Sequence, residues 1–545
     1  MTIELSGVLD PRVRRYVLPV RVLWHSCGKD VSVERLLQPD QTPIVIEYKA
    51  DAGEPPAILL DFGRELHGGI QIENGITPVQ APVKVKVGFG ESASEAMGEP
   101  NQDHTIHKQD VLIPWYGNTE IGNTGFRFVR IELVEPGQRL DLKWVKAVFV
   151  IRDVEYKGSF NSNDERLNTI WNTGAYTVHL CMQELLWDGI KRDRLAWIGD
   201  MHPETMVISS VFGEHEVVPK SLDFVRDQTP LPGWMNGISS YSMWWILIQQ
   251  SWYAYHGNYD YLDQQGKYLV ELLKHLRSHI GADNKEALTG TRFLDWPSSE
   301  DPTAIHAGLQ SLMAMSMLAG ADLCHTLGFG EEQIECQAAA NRLLAHTPEP
   351  TASKQGNALM VLAGLSDAKK TNDTVLGVNP LQGVSTFYGY YVLQARAEAG
   401  DYEGCLEVIR KYWGGMLDVG ATTFWEDFDL SWREGSGRID ELPKKSEKDI
   451  HADYGNYCYK GLRHSLCHGW AAGPVAWLSE HVLGFKPLEP GCRSLLIKPH
   501  LGDLKQAEGT FPTPHGVVHV KHRKKMGGEV VTEYEAPEGV RVVVR

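Results

Sequence analysis

The densest concentration of reactive side chains in the sequence runs Asp188-Gly-Ile-Lys-Arg192-Asp193-Arg194-Leu-Ala-Trp197-Ile-Gly-Asp200-Met-His202-Pro203-Glu204. Carboxylates, guanidinium groups and a histidine, interleaved with Trp, suit the wall of a hydrogen-bonded pocket. Breaking a bond between a sugar and its leaving group requires one carboxyl to protonate the departing oxygen and a second to activate water or attack carbon. A neighbouring Arg holds one Asp ionised, whereas crowding by other carboxylates keeps another protonated. The same residues also suit a salt-bridged loop between two helices. A second constellation, Gly420-Ala-Thr-Thr-Phe-Trp425-Glu426-Asp427-Phe428-Asp429, sets carboxylates among aromatic rings, as for a base in a partly dry site. Its plainer reading is a carboxylate at a helix start beside a buried Trp.

These residues must be carried by more than one packed unit, since 545 residues exceed what a single core accommodates. The first 155 residues read as β: Val83, Val85, Val87 and Phe89 alternate with Lys84, Lys86 and Gly88. Val129, Ile131 and Leu133 alternate likewise, and Val148 to Ile151 form a buried run. From Glu165 the period becomes helical, with Leu167, Ile170, Trp171, Val178, Cys181 and Leu185 on one face and Asn163 or Asp164 as the N-cap. Comparable segments follow near 203–213, 242–256, 259–280, 303–326, 331–345, 351–364, 386–399, 402–417 and 466–483. Ten to twelve consecutive helices without a residue-level repeat fit a six-hairpin (α/α) barrel rather than a solenoid. After Pro487 the pattern returns to β, with Val518 and Val520 on one face of a strand and a last run at Val540–Val544. The polar stretch Arg433–Asp453 reads as a long surface loop, a candidate lid.

Composition excludes several classes. A formal net charge of −17 opposes nucleic acid or an anionic membrane as partner. No uncharged apolar run approaches the eighteen residues of a membrane span. The N-terminal Met1–Ser6 lacks the basic-then-apolar order of a signal peptide, and eight cysteines without a C-x-x-C pair fit free thiols, so a cytoplasmic location is expected. Sixteen Trp and twenty Tyr supply ring faces on which a carbohydrate can stack. Neither His275 with His279 nor His515 with His519 has a third ligand at metal spacing, so no metal or cofactor is expected.

The stretch Asp188 to Asp200 resembles the acidic motif D-x-x-x-R-[ED]-x-L-x-W-x-x-D of the α-L-rhamnosidases of glycoside hydrolase family 78. Ala421-Thr-Thr-Phe-Trp-Glu426 is similar to that family's A-T-T-x-W-E. Further matches lie in order at Gly158-Ser-Phe160, Pro232-Gly-Trp234, Leu294-Asp295-Trp296, Ser465-Leu-Cys-His468-Gly-Trp470, Pro490-Gly491 and Ile497-Lys-Pro499. The resemblance implies a central (α/α)6 barrel at 156–485, an N-terminal β-sandwich at 1–155 and a C-terminal β-sandwich at 486–545. It implies Asp193 as general acid and Glu426 as general base of an inverting hydrolysis, with carboxyls roughly 6.5–9.5 Å apart. Asp188, Arg192, Trp197, Asp200, Trp234, Asn236, Asp295, Trp296, Trp425 and His468 would surround a terminal α-L-rhamnose. Two positions depart from the pattern. The acid is most often Glu in the family, and Asn236 stands where an Asp is expected. The alternatives are another enzyme on the same barrel, a polysaccharide lyase or phosphorylase, and a non-catalytic sugar-binding relative.

Overall fold

The structure is a computed structural model and describes residues 9–38, 42–51, 53–457 and 459–545; Met1–Ser6 and Cys458 lie outside them. Its first region is β. Strands β1 (Arg12–Val17), β2 (Arg21–His25), β3 (Ile44–Glu47), β4 (Ala57–Asn74), β5 (Val83–Gly90), β6 (Lys108–Ile113), β7 (Gly117–Leu133) and β8 (Arg139–Arg152) share one hydrogen-bonded sheet. Its order is β1-β8-β4-β7-β5-β6, with β2 also on β4 and β3 also on β8. The two-sheet sandwich expected here is thus, by hydrogen bonding, one sheet bent at irregularities. The reason is the 18-residue length of β4, whose register against β7 shifts between Asp61 and Leu66 and again between Gly68 and Ile70. Its first part pairs with β2 and its last with β8. Gly68 is needed at the second shift, because its φ is +137° and a Cβ would lie 2.0 Å from the Val148 carbonyl oxygen. The alternating Val83, Val85, Val87 and Phe89 point into the core of this region.

Twelve α-helices follow among the described residues: α1 (Glu165–Cys181), α2 (Ile198–Val211), α3 (Val217–Gln228), α4 (Ser239–His256), α5 (Tyr259–Arg277), α6 (Pro302–Thr326), α7 (Gly330–Leu344), α8 (Lys354–Leu362), α9 (Ala368–Thr371), α10 (Gly389–Glu398), α11 (Tyr402–Val408, continuing past a π-helical turn as Gly414–Asp418) and α12 (Gly473–Trp477). The last turns of α9, α11 and α12 run on as π-helical turns. Asp164 caps α1 by accepting from the amides of Arg166 and Leu167. Two of the twelve, α3 and α9, fell outside the segments expected from periodicity; α9 is a single turn.

Burial separates the helices into two layers. Helices α4 and α6 are buried nearly all round, whereas α3 and α5 bury one face only. Every second helix touches the next, α2 to α4, α6, α8, α10, α12 and back to α2, which closes a ring. The remaining helices pack outside it. The chain ends in two further sheets, β10 (Phe485–Pro487)-β11 (Ser494–Ile497)-β15 (Arg541–Val544) and β14 (Val530–Glu535)-β13 (Gly516–Lys524)-β12 (Gln506–Thr513)-β9 (Ser159–Ser162). Strand β9 precedes α1, so the C-terminal sheet recruits residues from before the helical region, and β10 straddles the expected boundary at 485.

Residues 433–453 form a largely exposed loop, as expected, but one anchored at several points. Ile439, Ile450 and His451 are buried. The Ile439 carbonyl accepts from the Ala93 amide at 2.8 Å, and Arg21 donates to the Asp440 carbonyl at 2.7 Å. Asp440 pairs with Arg127 of the N-terminal sheet, whereas most other charges of the stretch are exposed, as Glu434, Glu441, Lys444 and Lys445 are.

Candidate active site

A cavity of about 310 Å³ opens between the helical ring and the loops above it. It is lined by Asp188, Arg192, Asp193, Trp197, Asp200, Trp296, Glu426 and His468, together with Ile238, Tyr241, Thr291, Phe293, Tyr459 and Trp470. Eight of the twelve residues singled out in the sequence thus meet in one place, though they come from four separate stretches of chain.

The acidic stretch is the connection between α1 and α2. Its shape is set by backbone bonds: the Asp188 amide donates to the Leu195 carbonyl, and the Leu195 amide returns to Asp188 Oδ1, both at 3.0 Å. Across from it runs the 464–470 segment, and Gly189 bridges to His468. Only glycine permits that approach, since a Cβ at 189 would stand 2.8 Å from the Cys467 carbonyl oxygen and 2.9 Å from His468 Nδ1. Asp200 enters from the first turn of α2, and His468 Nε2 sits 3.0 Å from its Oδ1.

Glu426 is buried, and Arg192 grips it in a two-pronged pair, Nη1 to Oε2 at 2.8 Å and Nη2 to Oε1 at 2.6 Å. The Ser465 amide donates to Oε2 at 3.2 Å, and His468 Nδ1 stands 3.8 Å from Oε1. The Glu426 carbonyl accepts from Thr386 Oγ1 and Trp470 Nε1, which fixes its backbone. Glu426 does not start a helix. Burial alone would raise its carboxyl, but the charges of His468 and Arg192 outweigh this and hold it at about 2. Burial works against a charged His468 as well, yet Glu426 and Asp200 lift it to about 9. Asp188 is pushed up to about 7 by burial, opposed by His468 and reinforced by Asp200. Asp193 differs from these: its side chain is 37% exposed at the rim, with Oδ1 3.6 Å from Arg192 Nε. The site therefore holds one carboxyl firmly ionised, one near neutrality and one open to solvent.

Four residues expected around the sugar stand outside the lining. Trp234 packs against His275 and His279, in a neighbouring hollow with Leu195 and Phe224. Asn236 braces α2: its Oδ1 accepts from the Ile198 amide at 3.0 Å, and its Nδ2 donates to the Ala196 carbonyl at 3.1 Å. Asp295 is buried behind Trp296, accepts from its amide and from Ser385 Oγ, and is raised by burial to about 6. Trp425 is fully buried against Phe428. These are supports of the cavity rather than its surface. Conversely, Tyr241, Phe293 and Tyr459 line it from stretches that carry no chemical signature of their own. Trp470 reaches the cavity from the motif Ser465-Leu-Cys-His468-Gly-Trp470.

Topology defines the fold, a closed ring of helices between β-rich regions. Residues 155–322 match the model of the bacterial alpha-L-rhamnosidase six-hairpin glycosidase domain, and residues 484–545 that of the bacterial alpha-L-rhamnosidase C-terminal domain. An alpha-L-rhamnosidase of Alteromonas sp. (strain LOR) is 24% identical over 523 residues, covering 85% of this chain and 53% of that protein. Among solved structures, the family 78 rhamnosidase of Bacillus sp. GL1 superposes with a TM-score of 0.78 at 23% identity, over 94% of this chain and 55% of that one. The rhamnosidase of Klebsiella oxytoca with rhamnose bound gives a TM-score of 0.69 at 18% identity, over 86% and 95%. The chain spans about half the length of the curated relatives it matches. The resemblance read from the motifs stands: in its helical and C-terminal regions the chain is similar to the bacterial α-L-rhamnosidases. Among the described residues no helix is long and apolar enough to cross a membrane, and all seven cysteines are unpaired.

Proposed function

We propose that the chain is a glycoside hydrolase that removes terminal α-L-rhamnose by inversion, with Glu426 as base and Asp193 as acid, and that the closed helical ring is an (α/α)6 barrel. The single observation that carries the reading is the presence, on the lining of one cavity of about 310 Å³, of a buried Glu426 held ionised by His468 and Arg192 and of a second carboxyl, Asp193, at the rim. A carboxylate offers about four acceptor directions. Arg192 occupies two and the Ser465 amide a third, which leaves one for the attacking water. Asp193, at the solvent side, meets the leaving group where it departs, and its exposure lets it regain a proton after each turnover. Trp197, Trp296, Tyr459 and Trp470 offer ring faces to the sugar. Asp188, Asp200 and His468 offer hydrogen-bonding groups for its hydroxyls. A carbohydrate substrate and a cytoplasmic location complete the reading, with neither nucleic acid nor membrane as partner.

A non-catalytic sugar-binding role is the second reading, favoured by the short, rim-exposed Asp193. One experiment separates them: turnover of p-nitrophenyl α-L-rhamnoside by the wild type, Asp193→Asn and Glu426→Gln, with the product anomer followed by NMR. β-Rhamnose released by the wild type and lost in both variants supports hydrolysis with inversion. Sugar binding without product by the wild type, left unchanged by Asp193→Asn, supports the second reading.

A further inference from the structure

Beneath the cavity lies a second group of ionisable side chains that makes no contact with it. Immediately after β5 the chain turns through Glu91 and Ser92 into the short helix Ala93–Met97. Glu91, Glu95 and Lys191 are all buried there, the acids from the N-terminal β region and the lysine from the acidic loop. Lys191 Nζ lies 2.7 Å from Glu95 Oε1 and 3.6 Å from Glu91 Oε2, and donates to the carbonyls of Leu462 at 2.5 Å and His464 at 2.7 Å. Glu91 Oε2 accepts from the Leu466 amide at 2.5 Å, and the Glu91 amide donates to Glu95 Oε2 at 2.8 Å.

The network continues outward. Ser92 Oγ lies 2.7 Å from His451 Nδ1, and His451 Nε2 lies 2.9 Å from the His464 carbonyl oxygen. His464 Nε2 in turn accepts from the Asp427 amide at 2.9 Å. Each pinned position adjoins a residue of the cavity or its support: Lys191 precedes Arg192, Asp427 follows Glu426, and His464 and Leu466 flank Ser465. Removing two carboxyls and an ammonium from water costs several kcal/mol per ion, and apolar residues of the same size would stabilise at least as well. What the charged cluster supplies instead is direction, because an ammonium with three acceptors has one arrangement.

We propose that Glu91, Glu95 and Lys191 are positioning residues for the hydrolysis: the N-terminal β region holds the loops at 188–195 and 462–468 in the register that brings Arg192 onto both oxygens of Glu426. The kinetic half of the test rests on the function proposed above; the structural half does not. In Lys191→Met and Glu91→Leu, kcat on the rhamnoside should fall about thirty-fold or more while KM changes less than about three-fold, as for a displaced reacting group. Glu91→Gln keeps an acceptor for the Leu466 amide and should restore most of the loss seen in Glu91→Leu. A crystal structure of Lys191→Met should show the two-pronged Arg192–Glu426 pair broken. If Lys191→Met fails to fold, Glu95→Gln, which keeps the shape and removes the facing charge, takes its place in both measurements. A folded variant that retains both Arg192–Glu426 bonds overturns the proposal whether or not the wild type cleaves rhamnosides. Unchanged kcat in an active enzyme overturns it equally.

Discussion

At the scale of single residues, the site works through unequal treatment of like groups. Glu426, Asp188, Asp200 and Asp193 stand around one cavity, yet only Glu426 has a guanidinium on both oxygens. A sequence shows that an Arg precedes Asp193; it does not show that the Arg reaches 234 positions along the chain to Glu426. The same inequality makes stability depend on pH. His468 titrates at about 9 in the folded protein, above the 6.5 of a free imidazole. Its contribution is therefore fully present below pH 6.5 and is lost as pH rises through 9. Asp188, raised to about 7, acts in the same direction at lower pH, because its neutral form is the one the fold prefers. The melting temperature of the wild type is thus expected to fall between pH 6.5 and 9, and His468→Gln to flatten that decline. Calorimetry across this range checks it; equal slopes in the two proteins would show that His468 is not charged in the fold.

At the scale of elements, glycine and asparagine decide where the loops lie. The first residues of α2 have no side-chain cap from Trp197 at the N-cap. Asn236 supplies the missing acceptor from another segment, from a left-handed backbone with φ at +53° that Asn tolerates well. Because it is engaged on both sides, its departure from the Asp expected at this position alters a support and takes no charge from the cavity. Asn236→Ala should cost about 1 kcal/mol, as loss of a helix cap usually does. Urea unfolding measures this, and a change below a few tenths would mean that the backbone alone holds α2. Periodicity found most helices because each buries one face or all of itself over several turns. It overlooked α9, which is a single turn, and α3, although Val217, Val218, Leu222 and Val225 fall on one face of it.

At the scale of the whole molecule, the β region and the helices are one unit. Tyr176, Leu180, Ile190 and Cys467, from the helical region and its loops, lie in the same core as the N-terminal strands. Tyr176 donates to the Glu65 carbonyl at 2.6 Å, and Arg127 donates to the Gly420 carbonyl at 3.0 Å, close before Glu426. A fragment comprising residues 156–545 should therefore aggregate or melt without a cooperative transition, since it exposes that apolar face and strands a buried lysine. Expression with circular dichroism and light scattering checks this. A monodisperse fragment with full activity would show that the helical ring needs no partner.

What the sequence determined by itself was local or periodic: the β-to-helix-to-β order, the number of helices to within a few, and the motifs at 188–200, 421–426 and 465–470. Those features follow from side-chain types at short spacing, where period and capping act without help from distant residues. The tertiary structure decided what depends on packing between distant segments. It set Trp234, Asn236, Asp295 and Trp425 behind the cavity wall, brought Tyr241 and Tyr459 onto it, and drew β9 into the C-terminal sheet. It also paired Arg192 with Glu426 and closed Lys191 among acids that follow strand β5 of the N-terminal region. Burial and charge pairing are properties of positions in space, and only the folded chain assigns them.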